Sequence, residues 1–281
     1  MDNKLHIEPR GLGIDYYNHK LFHLLDKVYD FYTTLSDRAS DFSDGSLITG
    51  RFAFNGNIYS SIGGTIESIK ILSYCGRLND VFALLRKLED AILIDIYKNI
   101  LLKNDDENLV ASDIPIKEIL DDSNIRTWTQ ATFLLMKNGD LNKIKNKIKE
   151  VDNQLGNLLN IDNIPFRQVC NDNVHYNSWS NFILNVYELH KVDRQGIKAL
   201  DIIYEIICKI FAIHFSYTYI QHPEYYSTLD YISCLEEGCE PIEGSQYWVM
   251  SIVQDVFDMY IKCEYQEVAD YLVSKDLMKL D

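Results

Sequence analysis

Chain breakers are scarce here: 281 residues hold only 5 prolines and 13 glycines. Long apolar-periodic runs with so few breakers favour helices. No strand-like alternation stands out apart from Leu47 to Phe54, and no fixed-period repeat is visible. A signal-peptide apolar core is also missing from the opening residues Met1, Asp2, Asn3, Lys4, Leu5 and His6. The six cysteines (Cys75, Cys170, Cys208, Cys234, Cys239, Cys263) are scattered, which predicts reduced thiols and a cytoplasmic location. Cys234 and Cys239 have four residues between them, as some zinc pairs do, but no second Cys/His pair completes such a site.

Positive charge is in short supply. With 27 Lys and Arg against 42 Asp and Glu, the net charge is −15. That balance argues against broad, sequence-independent adhesion to nucleic acid or to anionic membranes. A small basic patch touching RNA stays compatible with it. Chemical signatures are missing as well. Gly63, Gly64 and Thr65 lack the spacing and the lysine of a phosphate-binding loop. There is no Gly-x-Ser-x-Gly elbow and no His-Glu-x-x-His pair. No metal or cofactor is expected.

What the chain does have is amphipathic periodicity. Ile14, Tyr17, Leu21, Leu24, Val28, Phe31 and Leu35 recur every three or four residues, predicting a helix from Ile14 to about Asp41. A break is expected from Gly45 through Asn57. A second helix should begin near Ser60, carry Ile62, Ile66, Ile69 and Leu72 on one face, and stop at Gly76. A third is predicted from Leu78 to Lys103, then an acidic loop to Asn108. Shorter helices follow over 114–121 and 126–137. Asp140 should cap another, reaching about Leu159. Helices are also predicted over 179–189 and 194–219, the second ended by His222 and Pro223. An irregular stretch to Gly244 precedes two terminal helices, 245–260 and 265–279. The run Ile197 to Gln221 is the most apolar, yet Lys198, Asp201, Glu205, Lys209 and His214 exclude a membrane span. The expected architecture is all-α, a multi-helix bundle, with 1–281 as a single helical domain. A boundary near 104–112 or 138–140 is the other possibility.

Several charged groups need a reading. His19 and His23 share a helix face and could bind a metal jointly, although solvent-facing histidines are the simpler account. Lys143, Lys145, Lys147 and Lys149 spread around a helix, as a solvated face or a local patch for RNA or a partner. Arg86 and Glu89, three apart, can pair across one turn. The densest polar passage runs from Arg167 to Asn177, with Asn171, Asp172, Asn173 and His175 between. Such a cluster is costly to bury without partners, so it is either a structural knot or a site. His175 can act as general base near neutral pH. Arg167 can clamp a phosphodiester, and Asn171 or Asp172 can orient the imidazole. That inventory suits metal-independent RNA cleavage by an adjacent 2′-hydroxyl. Alternatively, these residues cap a helix starting near Ser178 and tie two loops together.

The Arg167–His175 passage resembles the signature of HEPN-domain proteins, an all-α superfamily rich in toxins and in abortive-infection and other anti-phage defence proteins. Nuclease members carry an arginine, then a polar residue, then a histidine, with four to six residues between the ends. Here seven residues, 168 to 174, separate Arg167 from His175. With four between, Cys170 takes the arginine's place and Asn171 follows as the polar residue. Either the motif is stretched and Arg167 serves, or it is degenerate; a thiol cannot replace a guanidinium as a phosphate clamp. Two helical runs, Ser60 to Lys70 and Phe82 to Ala91, are similar to the paired N-terminal helices of some HEPN-like families. The likeness implies a HEPN-like core over about 14–220, with 222–281 as a helical extension. It also implies a homodimer, since members often build the cleft across a two-fold axis. The function implied is a defence-associated or toxin–antitoxin-type endoribonuclease acting on RNA. The alternative is a catalytically inert assembly subunit or regulator binding a partner protein through its acidic surface.

Overall fold

The computed structural model describes residues 11–44, 49–109, 141–162, 166–175, 178–186 and 195–281. Among them the chain is all-α, with no strand and only two isolated bridges, Ser227 with Val249 and Trp248 with Lys279. No helix of the described residues is long and apolar enough to cross a membrane.

Four long helices build the body: α2 (Lys20–Asp44), α3 (Thr49–Tyr74), α4 (Leu78–Leu109) and, later in the chain, α9 (Gln195–Gln221). A one-turn α1 (Ile14–Tyr17) precedes them. Contacts run from α2 to α3, α3 to α4, α4 to α9 and α9 back to α2, closing a four-helix ring. Cross-links fix the directions. Ser36 donates to the Gly56 carbonyl at 2.9 Å, and Lys70 pairs with Asp26, so α2 and α3 are antiparallel. His19 reaches Asp201 at 3.0 Å, while Tyr32 reaches His214 at 2.8 Å, so α2 and α9 run parallel. Gly76 ends α3 in the left-handed region, φ 69°, and Arg77 N–H closes back on the Leu72 carbonyl at 2.9 Å.

Smaller elements dress one flank of α4. α5 (Leu141–Val151) and α6 (Asn153–Leu158) are separated by Asp152, whose carboxylate caps α6 by accepting from Leu155 N–H at 2.9 Å. α7 (Phe166–Val174) then lies along the first half of α4, and α8 (Trp179–Phe182) follows with a 3₁₀ turn, Ile183–Asn185. Beyond α9 come the 3₁₀ turn Pro223–Tyr226, α10 (Leu229–Glu237), the 3₁₀ turn Ser245–Tyr247, α11 (Ser251–Val256) running into a π-helical turn (Phe257–Lys262), and α12 (Gln266–Ser274).

Residues 222–281 share the core of the bundle. Phe31 meets Phe211 edge-on at 5.2 Å, and Phe215 packs at a tilt against Tyr226 at 5.1 Å and stacks on Phe257 at 6.0 Å. Truncating one such buried ring costs about 3–5 kcal/mol in lost transfer energy and cavity formation.

The core also holds a buried polar network. Asp95 accepts from Lys98 at 2.7 Å and bonds His214 Nε2 at 3.0 Å. His214 Nδ1 meets the Tyr32 hydroxyl, Lys98 donates to Asn55, and Asn55 donates to the Tyr225 hydroxyl at 2.9 Å. Burial alone would raise the Asp95 carboxyl, but the Lys98 charge and the His214 bond override it and hold the group well below the usual range. Burial also depresses the Lys98 ammonium, with Asp95 working against that shift.

Several expected boundaries differ. The break anticipated up to Asn57 is helical from Thr49 onward, including the run with strand-like alternation. Gly56 is there because α2 and α3 approach closely: a Cβ would stand 2.8 Å from Ser40 Oγ. The acidic stretch after Lys103 continues α4 to Leu109. The polar passage after Pro165, for which no helix was expected, is α7, and the irregular stretch before Gly244 contains α10. The predicted helices 114–121 and 126–137 and the Asp140 cap lie outside the described residues.

Candidate functional site

α7 carries the polar passage singled out in the sequence. Its residues meet α4 in antiparallel order: Asn173 opposite Asn79, Asn171 opposite Arg86, Arg167 opposite Asp90. On α4, Asn79, Arg86 and Asp90 fall at i, i+7 and i+11, one stripe of the helix. On α7, Arg167 and Asn171 are one turn apart, and His175 continues the stripe just past the last turn. The sequence therefore makes two facing polar stripes: Arg167 and Asn171 bond across to α4, while the Asn173 side chain donates to the Val169 carbonyl of its own helix at 2.9 Å and only its backbone carbonyl meets Asn79.

The geometry redistributes the expected roles. Arg167 gives its Nη1 to Asp90 Oδ1 at 2.7 Å, a half-buried ion pair. Arg86 gives its Nη1 to Asn171 Oδ1 at 2.5 Å. At 1.5 Å of rise per residue, Arg167 sits about 12 Å below His175 along the helix, whereas the Arg86–Asn171 bond is one turn, about 6 Å, below it. The guanidinium bonded nearer to His175 is thus that of Arg86, from α4. His175 is exposed; its backbone N–H closes on the Asn171 carbonyl at 2.9 Å, and its ring makes no hydrogen bond among the described residues.

Gln168 donates to the Asp172 carboxylate at 2.7 Å, and Asn181 donates to the Asp172 backbone carbonyl at 3.0 Å. The capping role foreseen for this passage is filled by Ser178, whose Oγ accepts from Asn181 N–H at 3.3 Å. Asn79 ties the two pieces together by donating to the carbonyls of Asn173 and Asn181, each at 2.9 Å.

Beneath the stripe lies a charged interior. Glu89 is buried at 2% exposure, and neither carboxylate oxygen has a hydrogen-bond partner among the described residues. The predicted pairing with Arg86 across one turn is not made, because Arg86 is engaged by Asn171. Burial pushes the Glu89 carboxyl up to about 7, despite the opposing charges of Arg167, Lys145 and Arg86. Lys145, from the supposed solvated face of α5, is itself buried, and its ammonium is depressed by burial with Glu89 pulling the other way. Cys170 is buried too; burial and the Glu89 charge push its thiol up to about 12, so it is neither a clamp nor a nucleophile.

Other candidates resolve differently. His19 precedes α2 and caps it: its Nδ1 accepts from Leu21 N–H at 3.2 Å while Nε2 faces Asp201. His23 is exposed and shares no ligand set with it. The Cys234–Cys239 spacing is a helix terminus: Cys239 N–H closes on the Cys234 carbonyl at 3.0 Å around left-handed Gly238. No cluster of three or more potential metal ligands occurs among the described residues.

Asp90 is the residue here that the sequence reading did not single out; Arg86 was read as a partner of Glu89, and Lys145 as part of a solvated face or local patch. The readable signal was the α4 stripe, Asn79, Arg86 and Asp90, which no solvent-facing pattern requires. Comparison of the chain with protein-family models, with curated proteins and with solved structures found no match. Chemically, the arrangement offers an exposed imidazole one helical turn beyond a guanidinium held by an amide, and a buried carboxylate pushed up to about 7 further along the same helix pair.

Proposed function

We propose that the protein is a HEPN-like, metal-independent endoribonuclease of a prokaryotic defence or toxin–antitoxin-type system, working at His175. The observation that carries this reading is the Arg86–Asn171 bond one turn below an exposed imidazole that makes no hydrogen bond among the described residues. His175 takes the proton from a ribose 2′-hydroxyl; the 2′-oxygen attacks phosphorus and the 5′-oxygen leaves, taking a proton from solvent. The products are a 2′,3′-cyclic phosphate and a 5′-hydroxyl. Arg86 supplies positive charge to the phosphate oxygens as negative charge builds there, and Asn171 fixes its direction. Arg167, held by Asp90, adds longer-range positive potential. The HEPN likeness further supports a homodimer with two such sites.

A second reading has its own support. Arg167 is tied to Asp90 and Cys170 is buried, so neither arginine position of the family motif offers a free clamp. That combination fits a catalytically inert subunit or regulator of a partner protein. Incubating RNA with purified protein in EDTA separates the two. The enzyme reading predicts cyclic-phosphate ends and loss of cleavage in Arg86→Ala; intact RNA across a range of sequences and structures would leave the inert reading standing.

A further inference from the structure

The end of α10 brings two thiols together. The helix stops at Gly238, which sits in the left-handed region at φ 66° and ψ 24°, and Cys239 N–H closes back on the Cys234 carbonyl at 3.0 Å. That closure is the Schellman arrangement, in which the side chains at its two ends come into contact. Such ends often carry apolar groups; here both carry thiols.

The backbone bond limits how far apart the two residues stand. With standard bond lengths, a 3.0 Å contact between N and O holds the two Cα atoms within about 7 Å. That ceiling is reached only if the four atoms lie in line. Disulfides span Cα separations of about 4.4–6.8 Å, so the pair is at bridging range.

The side chains agree with the backbone. Hydrogen bonding to the Cys239 thiol is the main influence pushing the Cys234 thiol up, and the Glu237 and Asp230 charges add to it. Both thiols are free, Cys239 exposed and Cys234 partly so, whereas Cys170 and Cys208 are buried. The fold does not wait on a bridge between them. Thr228 N–H meets the Trp248 carbonyl at 3.0 Å, and Met250 N–H meets the Tyr226 carbonyl at 2.9 Å, so backbone bonds already close the base of this excursion.

We propose that Cys234 and Cys239 form a reversible dithiol–disulfide site, oxidised by small-molecule disulfides. Cys239, the more exposed, attacks one sulfur of the oxidant as its thiolate. The oxidant's S–S bond breaks, a mixed disulfide forms, and the first small thiolate leaves. The Cys234 thiolate then attacks Cys239 Sγ, forming the internal bond and expelling the second small thiolate. The protein gives up two electrons to the oxidant, and the two thiol protons end on the released thiols. The exposed carboxylates of Glu236, Glu237 and Glu240 favour a cationic oxidant over an anionic one. The site does not depend on whether His175 cleaves RNA.

The test equilibrates the reduced full-length chain with cystamine, a cationic disulfide, and then alkylates the remaining thiols. Digestion after glutamate, at Glu236 and Glu237, separates the two cysteines, so an internal bridge appears in mass spectra as two linked peptides. Wild type should show that link, little cysteamine on Cys239, and full return of both thiols with dithiothreitol. Cys234→Ser removes the resolving thiol, so cysteamine on Cys239 should rise about tenfold or more. Cysteamine standing on Cys239 of the wild type at the level of that variant overturns the proposal. So does a Cys239 link to a second copy in place of the internal one, or a link that dithiothreitol does not remove.

Discussion

The two buried charge clusters of this protein are built to opposite standards. In the centre of the bundle, Asp95 has Lys98 and His214, His214 has Tyr32, and Asn55 links Lys98 to Tyr225. Between α4 and α7, Glu89 has no hydrogen bond among the described residues, and the nearby arginines are engaged by Asn171 and Asp90 instead. A saturated network in a dry interior holds helices in one arrangement and leaves nothing for a ligand. An unsatisfied buried carboxylate is a poor stabiliser, and such groups recur at functional sites. The contrast teaches that a histidine surrounded by partners, like His214, is the weaker functional candidate, despite looking more like a catalytic array.

The largest effect that can break this comparison is at Asp95. Asp95→Ala strands Lys98 and His214 in the core and should cost about 3–5 kcal/mol, read by chemical denaturation. A loss below about 1 kcal/mol would mean that the network is not the scaffold described.

A smaller effect, and one of opposite sign, is expected at Glu89. Its folded pKa of about 7 lies above the model-peptide range, so between pH 4.5 and 7 the folded state binds more protons than the unfolded state. Stability contributed by the neutral acid is present at low pH and lost as pH rises through 7. Glu89→Gln should therefore match the wild type near pH 5 and exceed it by on the order of 1 kcal/mol at pH 8. Thermal or denaturant unfolding across that range checks it; a variant less stable than wild type at pH 8 would show that Glu89 is ionised and favourably paired.

Much of the fold was legible because apolar periodicity is a direct record of burial. The runs from Ile14, from Leu78 and from Arg194 show it, and Gly76 and Pro223 punctuate as their backbone chemistry requires. The parts that were not legible share a cause: polar or small residues serving tertiary contacts. Gly56 and Asn55 look like breakers, yet one admits the α2 backbone and the other joins the central network. α7 was not anticipated as a helix because part of its polar face is satisfied by α4, 77 to 94 residues away in sequence. α10 keeps its apolar groups outside, so inward periodicity could not reveal it. At the site, His175, Asn171 and Arg167 were readable as types in a pattern. The substitution of Arg86 for Arg167 beside Asn171 was not, since no local spacing encodes which helix lies opposite.

The most direct measurement is cleavage rate and unfolding free energy on the same preparations of wild type and His175→Ala. With an exposed side chain and no bonds from its ring among the described residues, His175→Ala should change stability by less than about 0.5 kcal/mol and lower RNA cleavage about 100-fold or more. Undiminished cleavage in that variant, or loss of activity only in step with loss of the fold, would contradict the assignment of the site to the α4–α7 stripe.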